Sequence, residues 1–222
     1  MNSLRRFALT LALLSSISAF AADPAALTTE QQKLSYAVGV LFGRNMSLDV
    51  KVDNNAFLQG VRDVLEDQQL KLSPEEMQQV VQRFQDQRAE QATRNLEMGR
   101  KFLTDNAKKE GVTTLPGGVQ YKVVRAAEGA KPKLSDTIVV HYKGTFIDGR
   151  EFDSSYRHGE PATIPLQRVI KGWQEAVTAM PVGSKWEIYV PSESAYGDQG
   201  KGKDVEPNST LVFEIELLEI KK

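Results

Sequence analysis

The apolar residues of this chain change their spacing once, at residues 111–118, and that change divides what the chain can fold into. From residue 28 to about residue 109 they recur at helical intervals. From Val119 onward they alternate, or fall in short runs bounded by Gly, Pro and Asp. Gly111, Pro116, Gly117 and Gly118 supply the break, because they stop helices and turn chains. A helical domain over residues 22–110 and a sheet-forming domain over residues 111–222 are expected.

A segment of a third kind precedes both. Arg5 and Arg6 lead into an apolar run at residues 7–20, and Ala19, Phe20 and Ala21 place small residues where a signal peptidase cuts. Residues 1–21 read as a secretory signal peptide directing the chain to the periplasm, with surface or outer-membrane association left open. The alternative is an uncleaved anchor, but Ser15, Ser16 and Ser18 interrupt the run, which falls short of the ~20 apolar residues of a spanning helix. No membrane span is expected after cleavage. Loss of Arg5 and Arg6 takes the formal charge from -1 to -3, and with a pI near 6.2 nothing favours nucleic acid. The chain has no Cys, so neither a lipidated N-terminal Cys nor a disulfide is possible and stability must come from packing.

In the first helix Leu34, Ala37, Val38 and Leu41 share a stripe, and Ser35, Gly39 and Gly43, four apart, leave a shallow groove. Phe57, Val61, Val64 and Leu65 repeat the pattern in a second helix from near Asp53. A third starts with Ser73 as N-cap, Pro74 at the first position and Glu76 closing a capping box. Its apolar stripe of Met77, Val80, Val81 and Phe84 fades into a polar stretch over residues 85–100. There Glu90 with Arg94, and Glu97 with Lys101, are spaced to pair in solvent. Continued to about Lys109, this stalk would be roughly 50 Å long. Two short helices bury little alone, so pairing with the same region of a second copy is expected; packing on the chain's own C-terminal domain is the alternative.

The second half predicts strands at residues 119–123, 137–146, 150–153, 184–190 and 210–220, with one short helix over residues 167–180 ended by Pro181. This is an α+β domain, a twisted antiparallel sheet wrapped on one helix. Ordinary catalytic apparatus is nearly absent. The only His residues are His141 and His158, no third ligand joins them, and no Gly-rich loop opens a helix after a strand, so neither metal nor cofactor is expected. What stands out is a concentration of aromatics: Tyr142, Phe146, Phe152, Tyr156, Trp173, Trp186, Tyr189, Tyr196 and Phe213.

Trp186, Phe146 and Tyr189 are read as core. The others sit in five ordered strings: Val140-His141-Tyr142-Lys143-Gly144, Phe152-Asp153-Ser154-Ser155, Val169-Ile170-Lys171-Gly172-Trp173, Ala195-Tyr196-Gly197 and Thr210-Leu211-Val212-Phe213. In order and spacing these resemble FKBP-type peptidyl-prolyl cis-trans isomerases from about Gly118 to the end. With the signal segment and helical front half, the whole chain is similar to the branch of FkpA and the macrophage infectivity potentiators, which are V-shaped dimers.

The resemblance implies that Trp173 floors an apolar pocket, Tyr142, Phe152 and Phe213 wall it, and Val169, Ile170, Val205 and Ala195 lie at its edges. Asp153 would present a carboxylate, Tyr196 a hydroxyl and Ile170 its amide to a proline-containing, partly folded client protein. Asp153 has another reading, a turn carboxylate bonded to the Ser154 or Ser155 amides. Two departures stand out: Ile164 where relatives carry Phe, and the polar loop at residues 197–207, with Val205 and Glu206, where they carry an apolar one. They bear on the residue preferred before proline and on macrolide inhibitor binding. A holdase chaperone, or a module that only binds proline motifs, fits the same pocket residues, and chaperone activity is also expected to accompany catalysis.

Overall fold

The structure, a computed structural model, describes residues 26–45 and 52–221. The expected signal segment lies outside the described residues. Two compact units divide near residue 46. The described part of the first is helix α1 (Glu30–Asn45), whose apolar stripe is bare: Leu34, Val38 and Leu41, with Tyr36 and Phe42, are each more than half exposed. Space over Gly39 and Gly43 is open.

The second unit opens with α2 (Asn54–Leu65), capped by Asp53, whose carboxylate accepts the Ala56 N–H at 2.9 Å. Val64 and Leu65 on its apolar face are exposed. Helix α3 (Pro74–Asn106) begins as its sequence dictates. The Ser73 hydroxyl accepts the Glu76 N–H at 3.1 Å, and the Glu76 carboxylate accepts the Ser73 N–H at 2.8 Å. Arg94 reaches Glu90 at 3.4 Å, but Lys101 turns forward to Asp105 at 2.7 Å rather than back to Glu97. Both pairs are exposed and contribute little.

The polar stretch of α3 is not a bare stalk. Phe84, Arg88, Gln91, Ala92, Asn95, Leu96, Gly99, Phe102, Leu103 and Asn106 are buried or half-buried at helical spacing and form a stripe against the C-terminal domain. Phe102 packs on Tyr189 with ring centroids 5.9 Å apart. Asn106 donates to the Gln120 side chain at 2.9 Å, and Gln120 donates to the Leu103 carbonyl at 2.8 Å. Hydrophobic periodicity signals this stripe only weakly, because Arg88, Gln91, Asn95 and Asn106 interrupt its apolar residues.

Seven antiparallel strands follow: β1 (Val112–Thr114), β2 (Gln120–Arg125), β3 (Thr137–Phe146), β4 (Glu151–Ser154), β5 (Ala162–Pro165), β6 (Lys185–Val190) and β7 (Leu211–Lys221). The order is β1-β2-β6-β7-β3-β4, with β5 sharing the β4 edge of β3. Strands β1 and β5, three and four residues long, were not expected; neither is long enough to show alternation. On β7, Leu211, Phe213, Ile215 and Leu217 alternate into the core as the sequence predicts.

The expected single helix over residues 167–180 is two pieces, a 3-10 turn at Leu166–Arg168 and α4 (Lys171–Ala179). Val169 and Ile170 between them are extended, with ψ 168° and 151°. The Gln174 amide holds this break by donating to the Val169 carbonyl at 2.8 Å. Helix α4 packs Trp173, Ala176 and Val177 onto one face of the sheet, around a core that includes Ile138, Val140, Ile188 and Ile215. Gly172 permits that approach, since a Cβ there would collide with Val190. The last turns of α3 cover part of the other face, at Tyr189 and Gln120.

Candidate active site

Between α4 and the strands β3, β4 and β7 lies a cavity of about 320 Å³ lined by Tyr142, Phe152, Asp153, Ile164, Arg168, Val169, Ile170, Trp173, Tyr196, Lys201 and Phe213. Its rings interlock. Tyr142 and Phe213 both meet the Trp173 plane edge-on, each with centroids 5.4 Å from it, and Phe152 meets Phe213 edge-on at 5.6 Å. Each such pair contributes about 0.5–1.5 kcal/mol beyond burial and fixes ring orientation.

Local geometry explains how neighbours Phe152 and Asp153 both face the cavity, although successive residues of a regular strand point to opposite sides. Along the β3–β4 pairing Gly144 opposes Asp153 but Thr145 opposes Glu151, so Phe152 is the extra residue of a bulge. Gly144, beneath the rings, is the position where a Cβ would stand 2.7 Å from Phe152 Cζ and 2.9 Å from Phe213 Cε1. The glycine makes room for the aromatic box.

Asp153 satisfies both readings its sequence allowed. One oxygen accepts the Tyr142 hydroxyl at 2.9 Å and the other accepts the Ser154 N–H at 2.9 Å. Arg157, which sequence reasoning passed over, brings its guanidinium within 3.6 Å of the same carboxylate and donates to the Phe152 carbonyl at 2.9 Å. Burial, reinforced by the Asp153 carboxylate, pushes the Tyr142 hydroxyl up to about 12. The two serines after Asp153 are buried and lock the end of β4 to β3: the Ser155 hydroxyl accepts the Tyr142 N–H at 2.9 Å, and the Ser154 hydroxyl donates to the Tyr142 carbonyl at 3.3 Å.

The structure thus brings together Tyr142, Phe152, Asp153, Val169, Ile170, Trp173, Tyr196 and Phe213. Val205 is not on the wall. Its side chain is buried in the hydrophobic core, because the loop that carries it folds back through a bridge between Lys201 and Val205. Ala195 also packs against the core, just behind Tyr196, and is not among the lining residues. Arg168 and Lys201 line the cavity unforeseen; Lys201 sits 5.4 Å from the centre of the Tyr196 ring. Their charge gave no signal, since only folding brings residues 33 positions apart to one rim. Ile164 takes the wall position where an aromatic was expected in relatives. Among the described residues, the Tyr196 hydroxyl and the Ile170 N–H form no hydrogen bond.

His141 serves the scaffold, stacked on Tyr156 at 4.6 Å with Nδ1 3.1 Å from the Ser155 hydroxyl.

Comparisons with known proteins agree with this geometry. Residues 128–218 match the family model of the FKBP-type peptidyl-prolyl cis-trans isomerase, and residues 31–123 match that of the domain amino terminal to it. The chain is 44% identical over 223 residues to peptidyl-prolyl cis-trans isomerase Mip of Coxiella burnetii, covering 96% of each. It is 41% identical over 220 residues to FkpA of Escherichia coli, covering 91% of this chain and 81% of that protein. The crystal structure of FkpA from Escherichia coli superposes with a TM-score of 0.60 at 40% identity, across 88% of this chain and 99% of that one. Together with the ring-lined cavity and the helical front half, these matches establish that the chain belongs to the FKBP-type peptidyl-prolyl cis-trans isomerases.

Proposed function

We propose that the cavity floored by Trp173 catalyses rotation about X–Pro bonds of exported proteins, without a covalent step. The observation that carries this is the interlocked aromatic box with a carboxylate already engaged by Tyr142 and two donors, Tyr196 hydroxyl and Ile170 N–H, unengaged among the described residues. Resonance gives the X–Pro bond partial double-bond character and a barrier of about 18–20 kcal/mol. The twisted transition state has lost that resonance and much of its dipole. A dry ring-lined site therefore disfavours the planar amide more than the twisted one. Trp173 takes the pyrrolidine ring, Tyr142, Phe152 and Phe213 confine it, Val169 and Ile170 border it, and Tyr196 with the Ile170 amide holds the substrate carbonyls. Asp153 orients Tyr142 and meets the rotating carbonyl electrostatically. Exchange spectroscopy on an X–Pro peptide tests the proposal; no acceleration by the folded protein withdraws it.

The same reading has the chain exported to the periplasm, with residues 1–21 removed, which mass determination of the secreted form tests. It also has the chain dimerise through its helices. The bare stripes of α1 and α2 favour this, because exposed apolar surface of that extent marks an interaction site. A sedimenting monomer at micromolar concentration would count against it. Chaperone activity accompanies catalysis in this reading, since two linked cavities raise the effective concentration of a client-binding surface; suppression of aggregation by the full chain checks it.

A further inference from the structure

We infer that α3 clamps the substrate-facing loop, with Asn95 and Asn208 as positioning residues that set which residue before proline the cavity accepts; this rests on the isomerase reading above. Residues 197–210 follow Tyr196 and carry Lys201, and both of these line the cavity. Among the described residues, the loop's one β feature is the Lys201–Val205 bridge. Gly197, Gly200, Gly202 and Asn208 have φ of 60°, 69°, 52° and 56°, so at these four positions the backbone lies where Gly or Asn sits most comfortably. The loop cannot hold its path by regular pairing.

Turn hydrogen bonds, among them Asn208 N–H to the Gly197 carbonyl at 2.8 Å, shape the loop itself, and two anchors tie it to the rest of the fold. From within, Val205 is buried in the core. From outside, the stripe of α3 grips the loop's backbone: Asn95 Nδ2 donates to the Pro207 carbonyl at 2.8 Å, and Arg88 donates to the Gln199 carbonyl at 3.3 Å. In return Asn208 Nδ2 donates to the Ala92 carbonyl of the helix at 3.3 Å. At Gly99 a Cβ would collide with the Thr210 side chain, so the glycine lets α3 close on the loop's end. A helix that merely spaced two domains would offer these amides to water. Here they are exchanged between helix and loop, so the position of α3 fixes where Tyr196 and Lys201 stand opposite Trp173. A displacement of about 1 Å is enough to alter how a substrate is oriented.

The test uses the full chain and a series of X–Pro peptides differing only in X. Asn95→Ala removes one grip, and Asn208→Gly removes the other while keeping the left-handed backbone accessible. Each net hydrogen bond corresponds to about a three- to tenfold effect. Both variants should lower kcat/KM by about that factor, chiefly through KM, and compress the ratio between the best and worst X. Arg100→Ala, on the exposed face of α3, should leave the ratios at the wild-type pattern. Unchanged ratios in Asn95→Ala and Asn208→Gly, with or without a lower Tm, would overturn the inference and leave the residues a packing role. A wild type that isomerises no peptide would overturn the isomerase reading, and this inference with it.

Discussion

Gly144→Ala is expected to damage stability and activity together, through two identified atoms. Its Cβ would stand 2.7 Å from Phe152 Cζ and 2.9 Å from Phe213 Cε1, where ordinary carbon contacts are about 3.5–4.0 Å, so the rings must retreat by roughly 1 Å. Phe213 is buried and held edge-on between Trp173 and Phe152, so it has no room. Half-buried Phe152 yields instead, and on a bulge that faces the cavity its retreat reshapes the wall. Overpacking of this kind costs about 1–3 kcal/mol, a fall in Tm of roughly 4–12 °C for a domain of this size. A wall moved by about 1 Å should lower kcat/KM on an X–Pro peptide tenfold or more. Thermal unfolding and a protease-coupled assay read the two effects. Adding Phe152→Leu removes the ζ carbon and should restore part of the Tm without restoring activity, since one aromatic wall is lost. A Gly144→Ala protein with wild-type Tm and kcat/KM would refute the claim that these rings are closely confined.

Trp173→Leu should cost roughly 2–4 kcal/mol of stability, because Trp173 is buried and carries two edge-on ring contacts, and should lower isomerase activity at temperatures where the variant is still folded. Stability should also fall at alkaline pH. Burial and Asp153 raise the Tyr142 hydroxyl to about 12, and burial and Glu187 raise that of Tyr189. Folded chains thus hold these protons more tightly than unfolded ones, whose tyrosines titrate at about 10. The contribution is complete below pH ~10 and is lost as the pH rises towards about 12; urea midpoints against pH should show a shallower fall in Tyr142→Phe. A fragment beginning at Gly111 should melt below one beginning at Phe84, because only the longer keeps Phe102 over Tyr189 and Asn106 on Gln120. Equal melting temperatures would show that the last turns of α3 do not stabilise the sheet.

Local rules carried much of this fold from the chain alone. The capping box at Ser73, the breakers at residues 111–118 and the alternation of Leu211, Phe213, Ile215 and Leu217 are each dictated within a few residues, and each appears in the structure. The resemblance of five ordered strings to a known family also pointed to the aromatic box. Failures came where the governing interaction is one that apolar spacing does not record, a side chain bonding a nearby backbone carbonyl or a loop folding back on itself. The helix expected over residues 167–180 breaks at Val169 because the Gln174 amide takes up its carbonyl, and Val205 turns inward because its loop pairs back on itself.

Of the features that shape the site, the sequence by itself determined which residues are aromatic, where five of the seven strands and α3 begin, and that Asp153 follows Phe152. Only the tertiary structure decided that Phe152 and Asp153 face the same way, since that depends on a one-residue slip between β3 and β4. Only it decided that α3 grips the loop at residues 197–210, because the bonds join side-chain amides to backbone carbonyls over a hundred residues away. Amides on a helix look solvated in any one-dimensional pattern. Their partners are backbone groups that every residue carries, and no local spacing can name them.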